Sequence, residues 1–274
     1  CSCGYRHSAI DQRTGCTSKF MKLGAEVKSR NASWSNWAGN QRIEQASLYM
    51  PKTEDELQQI VSYARANNMR IKAVGSGHSF TAIALAEEII IDLSNYDEIV
   101  AIDKDKKTVT VQSGIQLSKL NRELYKNGLA MQNLGDIAYQ TIAGAISTST
   151  HGTGIKFTGI ANQVVALRIV LADSSVVECS PETDAELFHC ARVGLGALGL
   201  ISTVTIQLVQ AFNLSVIEEP MRVDDVLAPD GVDVTQELVS EREELIERLY
   251  LTVCRIVVAA RIVEAQHGSG RALL

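Results

Sequence analysis

A chain of 274 residues, 46% apolar and 21% charged, can fold as one large or two smaller units and is too apolar to be disordered. A net charge of −6 with no basic tract argues against a nucleic-acid partner. No run of about 18 apolar residues offers a transmembrane helix, which leaves peripheral membrane association open.

Residues 1–20 carry no apolar periodicity, and three of the six cysteines (Cys1, Cys3 and Cys16) crowd into them. With His7 they match no usual zinc spacing. Cys179, Cys190 and Cys254 are scattered, so the expected setting is reducing and cytoplasmic, with no metal. Met21 reads as a start, which makes the residues before it an upstream translation artefact or an extension, and 1–32 as a whole is expected to be an N-terminal extension, not native to the domain. Both tryptophans of the chain, Trp34 and Trp37, are expected to pack a terminal arm onto the core.

From residue 46 the pattern becomes regular. A strand over 46–50 precedes the capping box Thr53-x-x-Glu56. Leu57, Ile60, Val61 and Ala64 then fall at helical spacing, and Asn67-Asn68 ends the helix. Strands follow over 70–74, 89–93, 99–103 and 108–112, the last two joined by a hairpin turn at Asp105-Lys106-Lys107. Leu117, Leu120 and Leu124 mark a helix closed by Asn127-Gly128. Residues 161–172 and 176–179 form a hairpin, 181–190 a short helix and 200–208 an alternating strand. The sum is α+β. After 215 the character changes: 218–225 reads as a connector, 236–248 as a charged helix and 250–263 as an apolar one, together a small cap.

Three glycine clusters stand out against this scaffold. Val74-Gly75-Ser76-Gly77-His78-Ser79-Phe80 leaves a strand through two glycines, whose backbone can approach a ligand closely. Successive N–H groups in such a turn form an anion-binding concavity, and the histidine adds a titratable nucleophile. Residues 133–154 are nearly all small residues, hydroxyls and glycine. Within them 140–146 predicts one or two helical turns with an N-terminus free to face an anion. Ile137, Ile142, Ala143 and Ile146 favour a buried wall around a polar ligand over a flexible Ser/Thr loop. Gly194, Gly196 and Gly199 match G-x-G-x-x-G, but a strand follows where the dinucleotide fingerprint needs a helix. No G-x-S-x-G, H-E-x-x-H or Walker pattern occurs, and no residue is assigned a catalytic role.

Five stretches, in order, resemble one group: Asn36-Trp37-Ala38-Gly39-Asn40, Gly75-Ser76-Gly77-His78-Ser79-Phe80, Gln140-Thr141-Ile142-Ala143-Gly144-Ala145, His151-Gly152-Thr153-Gly154 and Gly196-Ala197-Leu198-Gly199. The group is the sugar-1,4-lactone oxidases of the D-arabinono- and L-gulono-1,4-lactone type, within the vanillyl-alcohol-oxidase-like flavoproteins. The resemblance covers roughly residues 33–225. It implies an FAD-binding domain of the vanillyl-alcohol-oxidase/PCMH type over 33–212, with subdomains 45–134 and 135–212 and the flavin between them. By this resemblance Val74, Gly75, Ser76, Gly77, His78 and Ser79 cradle the pyrophosphate, and His78 matches a histidine that many members bond to the flavin 8α carbon. Asp136, Thr141, Gly144, Thr148, Ser149, Thr150 and His151 fall where the family contacts flavin and phosphates, and Ile201 where backbone meets the adenine end. Ser149 departs from the pattern, standing where glycine is usual.

The implied reaction is oxidation of a sugar lactone or polyol with molecular oxygen as acceptor. A dehydrogenase with another acceptor and a non-catalytic FAD-binding fragment are the alternatives. The family's substrate domain and its His-Trp-Gly-Lys motif have no counterpart here. Residues 213–274 are therefore expected to be a truncated or aberrant start of that domain.

Overall fold

The computed structural model describes residues 27–152, 157–221 and 257–264. β1 (Ser29–Ser35) and β2 (Arg42–Tyr49) form an antiparallel hairpin. Helix α1 (Glu54–Ala66) starts where the sequence signals it: Thr53 Oγ1 accepts the Glu56 N–H at 3.2 Å, and Glu56 Oε2 accepts the Lys52 N–H at 2.6 Å. Asn68, in the left-handed region at φ +52°, turns the chain out of the helix. It returns as β3 (Ile71–Val74), and β4 (Ile89–Asp92) inserts between β2 and β3, parallel to both. The sheet order is β1-β2-β4-β3, which leaves β3 on an edge. β1 was not foreseen as a strand and reaches back to Ser29, into the segment expected to be an extension.

The second layer begins with β5 (Ile99–Asp103) and β6 (Thr108–Gln112) and continues through α2 (Leu117–Lys126), β7 (Leu129–Ala130) and α3 (Ile142–Ser147). Then come β8 (Val164–Val170), β9 (Val176–Cys179), α4 (Ala185–Ala191), β10 (Leu200–Gln207) and β11 (Val209–Gln210). Five of these strands make an antiparallel sheet in the order β5-β6-β10-β8-β9, while β7 pairs with β11. The chain thus passes from one sheet to the other between β4 and β5, so β5 and β6, inside the expected segment 45–134, are bonded into the second sheet. Leu117, Leu120 and Leu124 of α2, Ile142 and Ile146 of α3 and Phe188 of α4 bury against Val109, Val111, Val204 and Ile206 of that sheet. Burial of this kind, at about 25 cal/mol per Å² of apolar surface, is what holds short helices in place.

The layers share a core. Leu57, Ile60, Val61 and Ala64 of α1 pack with Ile89 and Ile91 on one side and with Val170 and Leu200 on the other. Further on, β12 (Leu214–Met221) pairs antiparallel with β13 (Val257–Glu264). Two expectations fail here. The apolar stretch expected as a helix over 250–263 holds a strand, because Val257, Val258, Ile262 and Val263 are β-branched and favour an extended, paired backbone. The connector expected from 218 is strand as far as Met221. The helix expected over 236–248, the N-terminal cysteines and residues 153–156 lie outside the described residues.

Candidate functional site

A cavity of about 490 Å³ opens between the two layers, within the size range of small-molecule and cofactor sites. All four residues of β3 line it, followed by Gly75 to Ser79. Thr141, Ala143, Gly144, Ser147 and Thr148 form a second wall, and Leu195 to Ile201 with Val170 to Ala172 a third. Lys72 is the one charged side chain among the lining residues, and its Nζ reaches the Leu195 carbonyl at 3.4 Å.

The 75–80 turn is fixed from outside the cavity. The Trp37 N–H donates to Gly77 O at 2.8 Å. Asn36 Nδ2 donates to Ser79 O at 2.9 Å, while Asn40 Nδ2 and Gln41 Nε2 donate to Phe80 O at 2.9 and 3.2 Å. The Ser76 hydroxyl donates to Tyr139 O. Gly77 takes φ +70°, and a Cβ there would meet Asn36 Cα and the Trp34 ring at 3.3 Å. Among the described residues, the backbone N–H groups of Ser76, Gly77, His78 and Ser79 donate to no protein acceptor. Four unspent donors in succession beside a cavity are a ready site for anionic oxygens. The His78 ring stacks on Trp37, with centroids 5.7 Å apart and planes at 29°. Trp37 itself is 70% exposed and not packed into the core as expected; Trp34 does pack, against the cluster of Ile43, Leu48, Val74 and Ile90.

The second stretch comes to the first at Gly75, where a Cβ would overlap Thr141 Oγ1. Here the expectation of a free helix N-terminus fails. The Ile142 N–H donates to Ile115 O at 2.9 Å, the Ala143 N–H to Ser113 O at 3.2 Å and the Gly144 N–H to Thr141 Oγ1 at 3.4 Å. The loop before α2 spends the first two of these donors and the Thr141 cap the third, before any ligand could. What α3 offers the cavity instead is a polar, small-residue surface. Gln140 joins it with an Oε1 that is buried and unpartnered, while its Nε2 donates to Thr150 Oγ1 at 3.3 Å. Asp136, Ser149, Thr150 and His151 do not line the cavity. They sit in two adjoining loops: a Cβ on Gly135 would lie 2.9 Å from Thr150 Cγ2, and one on Gly152 would overlap Leu134 O and Asn133 Oδ1. Ser149 has φ +57°, which supplies the physical reason glycine suits that position.

One polar network spans the layers behind the cavity. Arg168 on β8 forks onto Glu54 of α1 through Nε and Nη2 at 2.7 and 2.9 Å, and its Nη1 meets Glu178 at 2.6 Å. The Ser202 hydroxyl donates to Glu54 Oε2 at 2.7 Å, so the Tyr96 hydroxyl, 2.8 Å away, donates to Ser202. The Arg168 hydrogen bonds hold the Glu54 carboxyl below its ordinary value, and burial raises that of Tyr96. Sequence reading missed this network, as it missed Gln41 and Lys72, and it quoted Asn40 only as part of the Asn36–Asn40 stretch, with no role. Polar residues at single positions carry no periodic signal, so only the fold brings them together.

Among the described residues no group of three or more His, Cys, Asp or Glu side chains is placed to hold a metal, and no helix is long and apolar enough to cross a membrane. Residues 46–180 match the family model for an FAD binding domain. The chain is 39% identical over 204 residues to L-gulonolactone oxidase from Mus musculus, covering 74% of this chain and 46% of that protein. It is 40% identical over 181 residues to L-gulono-1,4-lactone dehydrogenase from Mycobacterium tuberculosis, covering 66% and 42% respectively. The chain therefore spans about half the length of these relatives. Among solved structures, a solvent-stable cholesterol oxidase superposes with a TM-score of 0.70 at 22% identity, over 75% of this chain and 42% of that one, a likeness of fold.

Proposed function

We propose that the chain is the FAD-binding part of a sugar-1,4-lactone oxidase, a reading supported by the FAD binding domain match and by the similarity to L-gulonolactone oxidase and L-gulono-1,4-lactone dehydrogenase, and that residues 33–212 bind FAD in the cleft between the two sheets. The complete protein would use it to oxidise a sugar-1,4-lactone of the L-gulono or D-arabinono type. The observation that carries this reading is the run of four unspent amides at residues 76–79 on the wall of the cavity. These donors suit the pyrophosphate oxygens. Glycine at 75 and 77 suits the close approach, since a side chain at either would strike Thr141 or the strap at 36–37. Across the cleft Thr141, Gly144 and Thr148 contribute small and hydroxyl-bearing surface, and the orphaned Gln140 Oε1 offers an acceptor. Ile201, at the start of β10, closes the adenine end. The exposed loops bearing Asp136, Ser149, Thr150 and His151 then meet the part of the cofactor that projects beyond the cavity.

FAD, when bound, supplies a two-electron acceptor for the C–H/O–H unit of the lactone. The protein's own contribution is to bind, orient and partly bury it. His78 is assigned the covalent tether to the flavin 8α carbon, because the residue borders the cleft and its ring is held by Trp37. Oxygen is the proposed acceptor, as in an oxidase. The dehydrogenase in Mycobacterium tuberculosis keeps a second reading alive, with another acceptor in place of oxygen. The free thiols of Cys179 and Cys190 suit a reducing, cytoplasmic setting.

Mass spectrometry of the folded and the denatured protein tests the cofactor and the tether together. FAD retained after denaturation, and lost in His78→Ala, supports both. FAD released on denaturation removes the tether, and protein that takes up no FAD removes the cofactor reading. For the reaction, FAD-loaded full-length protein supplied with each lactone is followed by peroxide release and by reduction of an artificial dye. Peroxide marks an oxidase; dye reduction without peroxide marks a dehydrogenase.

A further inference from the structure

We infer that residues 36–41 form a brace that holds the anion loop from behind, directing the His78 amide and anchoring the loop's end, with Asn36 as its central positioning residue. The inference rests on the FAD reading above. In a trans peptide the C=O and the following N–H point in opposite directions, and the described residues hold no cis bond. Gly77 O is held by the Trp37 N–H, so the His78 N–H on the same peptide faces away from the brace. Ser79 O and Phe80 O are held by Asn36, Asn40 and Gln41, which sets the Ser79–Phe80 and Phe80–Thr81 peptides and so anchors the end of the loop just past the four amides. Gly77, His78 and Ser79 border the cavity, whereas Asn36, Trp37, Asn40 and Gln41 do not, so the brace holds the loop without itself lining the cavity.

Without such restraint a glycine-rich loop samples both orientations of each peptide. A carbonyl turned toward a diphosphate would repel it. Fixing the donors in advance removes that cost from binding, which is how preorganised dipoles gain their effect. Asn36 is built for the task. It is 4% exposed, and its Nδ2 hydrogens go to Ser79 O and to Asn40 Oδ1 at 2.6 Å, while its Oδ1 accepts the Gln41 N–H at 3.0 Å. One side chain therefore holds both the loop and the rest of the brace.

The test uses the full chain in a His78→Ala background, so that FAD binding is reversible, with FAD and ADP as probes in calorimetric titration. Asn36→Asp keeps size and the acceptor for Gln41 but removes both donors and sets a carboxylate against Ser79 O. It is expected to weaken FAD and ADP alike by about tenfold, the effect of one or two misdirected hydrogen bonds. Phe188→Leu, in the α4 core away from the cleft, lowers stability and is expected to leave both affinities within about twofold. Should Asn36→Asp not fold, the exposed Asn40→Ala carries the test at about threefold. The brace is overturned if the Asn variants bind within twofold of the parent. It is also overturned if Phe188→Leu loses affinity to the same degree, since the loss would then follow stability alone. A parent that binds no FAD overturns the cofactor reading first.

Discussion

The two glycine- and hydroxyl-rich stretches that face each other across Gly75 and Thr141 have similar compositions and opposite hydrogen-bond states. At 76–79 the carbonyls of Gly77 and Ser79 are bound from behind and the amides are unspent. At 142–144 the amides are spent on Ser113 O, Ile115 O and Thr141 Oγ1. Composition alone therefore marks where a backbone can come close to a ligand. Whether its donors remain free is decided by which distant segment lies alongside: the 36–41 strap for the first stretch, the loop before α2 for the second.

The sharpest way to break this contrast is at the contact point. Gly75→Val would drive a side chain into Thr141, so we expect FAD uptake to be lost and stability to fall by about 3 kcal/mol in urea denaturation. Next in size is Trp37→Ala, which frees the His78 ring. The fraction of flavin surviving acid precipitation should drop severalfold, with Trp37→Phe restoring most of it. An unchanged fraction would show that the stack does not matter to the tether. Glu54→Gln lies outside both stretches and serves as the reference for stability without binding. The folded Glu54 carboxyl sits below its ordinary value of 4.5, so its contribution is complete above that pH and disappears as pH falls through the folded value. The variant should be less stable by about 1.5 kcal/mol at neutral pH and converge with the parent in acid, with FAD affinity unaltered. Thr141→Val removes the α3 cap and should cost about 1 kcal/mol, yet shift FAD affinity by less than about threefold. A larger shift would mean that the second stretch donates after all. Smallest is Ser149→Gly, which relieves the left-handed backbone and should raise stability by about 0.5 kcal/mol, seen as a higher thermal midpoint.

Much of the fold was legible because it rests on periodicity. Leu57, Ile60, Val61 and Ala64, or Leu117, Leu120 and Leu124, can share a face in only one kind of structure. The turn at 75–80 was legible for a different reason: glycine, hydroxyl and histidine so close together have few structural uses. β1 escaped notice because Ser29–Ser35 is largely exposed and shows little alternation; it is a strand through its pairing with β2. β13 was mistaken for helix because an apolar run has no period to arbitrate between the two. The strap, the Glu54–Arg168–Ser202–Tyr96 network and the spent amides of α3 all join residues far apart in sequence.

β3 has one further consequence. It is the edge strand of its sheet, its far side opens on the cleft, and it carries a single charge, Lys72. Bare strand edges are templates on which another chain can pair, and a lysine is a common deterrent. Whatever fills the cleft also covers this edge. Occupancy and colloidal behaviour are then linked: the empty protein should self-associate with rising concentration in light scattering, and Lys72→Val should worsen it, while loaded protein stays dispersed. The cleft proposed to hold the cofactor is in this sense also an edge on which another copy of the chain could pair.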